Sequence, residues 1–228
     1  MRDVTYAAPT TAVDRDVVAE FAGRVYGWVA AGLFLSGFTA WAVYSDAARL
    51  QSAEDHLLLW ILAPFVPLLI LMFGAQRLSP PVSAIAYIAF CALEGVGLGV
   101  IVSYYASESV ALALVTTAGV FTTMAVIGTV TKRDLTSLGG FLLVALIGLI
   151  LASLANLFFA SSALTWVITY AGVAIFMGLT AYDAQNVKKQ AMAGNTSWGS
   201  SLMCAVGLYL DALNLFLFLL RFFGGRRD

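Results

Sequence analysis

Charge is what this sequence has least of. Only 11% of its 228 residues are Asp, Glu, Lys or Arg, where a soluble domain carries about 25%. Histidine is almost missing, with His56 alone, and there are two cysteines, Cys91 and Cys204. One histidine and two isolated thiols give no zinc-type spacing, which argues against a zinc enzyme. Both thiols lie in apolar stretches, where Cys usually behaves as a small buried hydrophobe and a disulfide between spans is not expected. The net charge of -1 comes without a basic cluster interleaved with aromatics, so no nucleic-acid partner is expected. No Gly-rich phosphate cradle, no Ser/His/Asp set and no lipidation signal stands out, which disfavours a nucleotide-driven pump.

What remains is apolar. Hydrophobic residues make up 61% of the chain and the mean hydropathy is +0.90. A water-soluble fold could not hide that much apolar surface, so the sequence reads as an integral membrane protein.

A helix crosses the hydrocarbon core with about 20 predominantly apolar residues. Stretches 25–45, 57–76 and 109–131 are uncharged, and 82–104 carries only Glu94. Residues 135–182 are uncharged for 48 positions, too long for one crossing. The small polar junction Ala160-Ser161-Ser162 divides them into two. The stretch 198–223 is apolar except for Asp211 and Arg221. The expected fold is therefore all-α and polytopic, with seven transmembrane helices. These are continuous apolar runs rather than alternating barrel strands. Residues 1–24 read as a polar tail or surface helix, 25–223 as the membrane domain and 224–228 as a short C-terminal tail. Short connections make neighbouring helices antiparallel in one bundle.

Local signals refine this picture. Gly95 and Gly99 recur at the spacing that lets helix backbones approach. Pro64 and Pro67 are expected to kink the second span, and Pro80-Pro81 to start the third. Gly224-Gly225 reads as a helix stop. Ala40-Trp41-Ala42 has the form of a signal-cleavage site, but the preceding apolar run is long and the tail is not strongly basic, so an uncleaved first span is expected. Trp28, Trp41, Trp60, Trp166 and Trp198 read as interface or packing residues. The internal loops place Arg77, Lys132, Arg133, Lys188 and Lys189 on one side against Arg49 on the other. That bias puts the N-terminus in the cytoplasm. Arg221, Arg226 and Arg227 then fall outside, against the bias, unless the last segment is re-entrant or one span is miscounted.

The interior acids carry the functional reading, because charge in a membrane is expensive and each such residue is a functional candidate. Glu94 lies in the third span, Asp183 near the inner end of the sixth and Asp211 within the last. Asp183 and Asp211 belong to consecutive helices of one hairpin, so contact between them requires a late helix entry or a tilt. If they meet, a low dielectric holds one proton between them. Withdrawing it leaves two like charges side by side, relieved by helix separation, by approach of Arg77 or by a cation. A hard cation such as calcium prefers carboxylate oxygens, so Asp183 and Asp211 are also the candidate metal ligands. The competing reading is that each acid is a packing residue satisfied by Tyr182, Asn186, Tyr209 or Asn214, that Glu94 is likewise structural, and that Arg77 is an ordinary interface anchor.

Two motifs give a resemblance. Phe176-Met177-Gly178-Leu179-Thr180-Ala181-Tyr182-Asp183-Ala184-Gln185 resembles the "YD-x-Q" end of the sixth helix in the Bax inhibitor-1, or transmembrane Bax inhibitor motif, family. Leu208-Tyr209-Leu210-Asp211-Ala212-Leu213-Asn214-Leu215-Phe216, followed by Leu219-Leu220-Arg221, resembles that family's last helix, and Glu94-Gly95 resembles a bacterial variant. The resemblance spans about residues 24–227. It implies a seven-helix bundle with the last helix central. It also implies a pH-sensitive calcium leak whose proton sensor is the pair matching Asp183 and Asp211, with Arg77 as the positional match for an arginine that exchanges partners with the pair. Members often have several basic residues where this chain has only Arg77. Animal and plant relatives sit in the endoplasmic reticulum and suppress cell death. The short loops here resemble bacterial members of the inner membrane.

The leading expectation is thus a calcium-permeable leak gated by protonation of Asp183 and Asp211, with Glu94 a possible pathway acid. No enzymatic activity and no resident cofactor are expected. Calcium and protons are the transported or bound species and the lipid bilayer is the surroundings. A regulatory partner of a membrane protease is the alternative, since a second bacterial branch resembles a protein that associates with one. An intramembrane aspartyl protease is weaker, because Leu208-Tyr209-Leu210 stands where such enzymes carry Gly-x-Gly before the acid. A proton-coupled exchanger would show flux that follows a proton gradient.

Overall fold

The computed structural model describes residues 12–74 and 77–224. Among them are nine helices and no strand. These are α1 (Ala12–Tyr44), α2 (Ala47–Asp55), α3 (Leu57–Leu62), α4 (Phe65–Gly74), α5 (Pro80–Ser103), α6 (Ser107–Val130), α7 (Thr136–Phe159), α8 (Ser162–Met192) and α9 (Trp198–Phe223). Seven segments are long and apolar enough to cross a membrane: α1, the α3–α4 pair, and α5 through α9. The count matches the apolar runs because a spanning segment must satisfy its own backbone in hydrocarbon, which a helix does.

Helix ends follow local chemistry. The second span breaks at Ala63-Pro64, between α3 and α4, where the proline ring cannot continue the helical bonding. Pro80 and Pro81 occupy the first turn of α5. α7 ends at Ala160, which takes a left-handed φ of 47°, while Asn156 Oδ1 accepts from Ser161 N at 3.0 Å. Ser161 then caps α8 by accepting from Leu164 N, so the junction expected at 160–162 is a tight turn between two spans. α8 ends before Gly194, whose φ of 77° suits a glycine beyond a helix end, and Ser197 caps α9 through Ser200 N.

Two helices outrun their apolar stretches. α1 begins at Ala12, so the polar residues just before the first span continue its helix, and α8 runs past Lys188 and Lys189 to Met192. Arg2, Arg226 and Arg227 lie outside the described residues. Cys91 and Cys204 are both free.

α9 is the most buried of the seven spans. It packs directly against α1, α5, α6 and α8, while α7 lies against α8 and α4 against α5. Close approaches depend on glycine. A Cβ on Gly95 would sit 2.6 Å from Ser36 O, and one on Gly99 2.9 Å from Ala40 O, so the small-residue face of α5 meets the backbone of α1 as expected. Gly128 of α6 lies against the carbonyl of Ala181 on α8. Ser36 ties three helices together: its Oγ donates toward Cys91 O at 2.8 Å and lies 2.7 Å from the Tyr209 hydroxyl.

The connections sort onto two faces. Arg24 donates to Thr196 O at 3.2 Å, which puts that part of α1 beside the α8–α9 connection. Gln185 near the end of α8 binds the α6–α7 connection. On the opposite face Tyr104 donates to Glu54 at 3.3 Å, and Ser109 at the start of α6 donates to Phe223 O at the end of α9 at 3.2 Å. α9 therefore crosses the whole bundle and is not re-entrant.

Candidate functional site

The site is built by the α8–α9 hairpin. Asp183 lies nine residues before the end of α8 and Asp211 thirteen after the start of α9. The continuation of α8 beyond the apolar run is what carries Asp183 inward. Its carboxylate lies over Gly207, where an added Cβ would fall 2.6 Å from Asp183 Oδ2. Gly207 is four residues before Asp211, hence one turn away on the same face of α9. The two acids thus lie on the same seam of the hairpin with an offset of about one turn, roughly 6 Å along the axis, and line one cavity.

Their surroundings differ. Asp211 is 4% exposed, and its Oδ2 is buried without a hydrogen-bond partner among the described residues. Neighbours that could have satisfied it are engaged elsewhere: Tyr209 with Ser36, and the Asn214 side chain with Leu210 O at 2.8 Å. Asp183 is only half-buried and stands at the junction of two cavities. The first, about 570 Å³, is polar and lined by Asn186, Gln190, Asn195 and Cys204 beside Asp183; it belongs to the face that carries Arg24. The second, about 840 Å³, runs among α4, α5, α7, α8 and α9 and contains Asp183, Asp211 and Glu94. Asp183 and Gly207 line both.

Glu94, on α5, therefore shares a chamber with the aspartate pair. Arg77 does not. It is exposed in the α4–α5 connection, its backbone N–H donates to Gly74 O at 2.7 Å, and among the described residues the ion pairs are Arg24–Glu20, Arg49–Asp46 and Lys189–Asp134. The expected approach of Arg77 to the aspartates is absent from this conformation. Among the described residues no three Asp, Glu, His or Cys side chains converge on a common point, so Asp183 and Asp211 would hold a cation only with help from neutral oxygens or water.

Two contributors escape a reading of charge alone. Gly207 provides the space Asp183 occupies; its place four residues before a buried acid was the available signal. Gln185 is 5% exposed and clamps the α6–α7 connection, accepting from Leu135 N at 2.8 Å and donating to Arg133 O at 2.7 Å. Beside it Lys189 pairs with Asp134 and donates to Thr136, and Lys188 donates to Thr129 O at 3.1 Å. The glutamine of the "YD-x-Q" motif is thus a fastener on the helix that carries Asp183.

Comparison with known proteins agrees with the motifs. The family model described as inhibitor of apoptosis-promoting Bax1 matches residues 18–228. The inner membrane protein YbhL of Escherichia coli K12 is 40% identical over 215 residues, covering 91% of this chain and 92% of that protein. A protein of Deinococcus radiodurans is 38% identical over 216 residues, 93% of each chain. A membrane protein of Streptococcus pyogenes serotype M3 is 36% identical over 211 residues, 90% of this chain and 92% of its own. With seven apolar spans, the last of them the most buried, both aspartate motifs in place and a family match over nearly the whole length, the chain belongs to the Bax inhibitor-1 family of membrane proteins.

Proposed function

We propose that the protein is a calcium-permeable leak of the bacterial inner membrane, gated by protonation of the Asp183–Asp211 pair. The observation that carries this reading is the buried, unpartnered Asp211 oxygen one helical turn from a second acid that borders a polar cavity. Burying an unsatisfied carboxyl is costly, and a packing role would have given it a partner. Likeness to an inner membrane protein supports the location.

In this reading the protonated pair lets α8 and α9 lie closely together. Deprotonation sets two negative charges against each other where water screens them poorly. The hairpin relaxes, Asp183 and Asp211 become available to a cation, and the polar vestibule connects with the chamber beyond it. Arg77, exposed here, serves as a counter-charge for the opened state. With the N-terminus cytoplasmic, the vestibule opens on the cytoplasmic side.

Calcium efflux from proteoliposomes, followed across a pH series, tests the proposal. The unaltered protein is expected to leak faster as pH rises, and Asp183→Asn and Asp211→Asn each to flatten that dependence. An unchanged pH profile in both variants would overturn the mechanism.

A further inference from the structure

The chamber beyond the aspartate pair has walls that an ion passage alone does not require. It is about 840 Å³, within the range of roughly 300–1,000 Å³ for small-molecule sites. Four aromatic rings, Phe65, Phe176, Tyr182 and Phe218, stand among its walls. Leu143, Ile150, Leu154 and Leu157 of α7 supply another side, and each is more than half exposed, so the chamber is open along α7 toward the region of the lipid tails. Against this apolar shell stand the carboxyls of Glu94, Asp183 and Asp211, and no lysine, arginine or histidine among the described residues lines the space. Asp211, the most buried of the three, lines the chamber, and its Oδ2 has no hydrogen-bond partner among the described residues.

We propose that this chamber binds a lipophilic organic cation, an amine or onium head on an apolar body, entering from the bilayer along α7. A hydrated inorganic ion gains nothing from the leucine and phenylalanine walls, and a neutral lipid tail leaves the acids uncompensated. A lipophilic cation answers both: its apolar body fills the space beside α7, and its charge is balanced by the acids in the other walls. Ring faces add to the attraction, since aromatic surfaces favour ammonium and onium groups. Glu94 lies on α5 while both aspartates belong to the α8–α9 hairpin, so the charge is met from two walls. The inference shares its acids with the leak reading, but it is measured without flux.

The test uses the full chain in lipid nanodiscs and equilibrium dialysis of tetraphenylphosphonium, with empty nanodiscs as background and neutral triphenylphosphine oxide as control. Saturable binding at one cation per chain is expected. Glu94→Gln should weaken it by about tenfold or more. Gly140→Phe guards against misfolding as a cause: Gly140 lines the chamber, and a Cβ there meets nothing within 4 Å. That ring fills the space and should weaken binding by a similar factor while the melting temperature is kept. The proposal is overturned if the unaltered chain shows no saturable binding, if either variant binds as the parent does, or if the neutral control binds as tightly as the cation. Absence of binding by the unaltered chain alongside intact pH-dependent calcium efflux would refute the cation site alone. Binding without efflux would refute the leak alone.

Discussion

At the scale of single residues, the account turns on space as much as on charge. Gly207 makes room for Asp183 by having no side chain, since an added Cβ would fall 2.6 Å from the Asp183 Oδ2. Gly207→Val should therefore displace the Asp183 carboxyl rather than break the backbone. The stability loss is expected at the low end of the about 1–3 kcal/mol typical of overpacking, while the pH midpoint of calcium efflux moves. Thermal unfolding and an efflux profile on the same preparation check this, and an unmoved midpoint would mean that the carboxyl's position is immaterial. The acids themselves were legible in the sequence because lipid makes each interior charge conspicuous. Gly207 was not, since apolar runs are full of glycines and only the relative rotation of α8 and α9 shows which one faces an acid. Arg77 illustrates the converse. Its position near a span end was readable, but not its direction, and the side chain is exposed in the α4–α5 connection.

At the scale of elements, α8 is secured at the face that carries Arg24 by a clamp on the α6–α7 connection. Gln185 is the buried part of it, so Gln185→Ala should leave the Leu135 N–H and the Arg133 carbonyl without their partner. A loss of about 1–3 kcal/mol follows for such groups. Gln185→Glu, which keeps the acceptor for Leu135, should fall between the two in thermal unfolding; equal stability of all three proteins would remove the clamp from the account. The exposed part is insensitive to ordinary acidity. Hydrogen bonds from Lys189 and Thr136 push the Asp134 carboxyl down to about 2. A carboxylate held low in the fold stabilises above its unfolded pKa, about 3.9, and that contribution fades only as pH falls toward 2. A pH response near neutrality therefore does not come from this ion pair. The span limits could be read from apolar runs because hydrocarbon imposes them. The extension of α8 to Met192 could not, because an apolar run marks the lipid zone rather than the end of hydrogen bonding, and that extension sets the depth of Asp183.

At the scale of the whole molecule, seven crossings place the two ends of the bundle on opposite faces. The contact of Arg24 with Thr196 and that of Ser109 with Phe223 mark those faces. In a cysteine-free background, single cysteines at Asn195 and at Asp55 should react with a membrane-impermeant maleimide from opposite sides of sealed vesicles. Labelling of both from one side would contradict the five crossings that lie between them. α9 packs directly against α1, α5, α6 and α8, so in the proposed leak a change at Asp211 would reach most of the bundle. The most direct test of the central claim, that Asp183 and Asp211 work as one unit, is a double-mutant cycle on the pH dependence of calcium efflux. If they share a proton, Asp183→Asn, Asp211→Asn and the double variant should all have the same flattened profile. Effects of the two substitutions that simply add would contradict it.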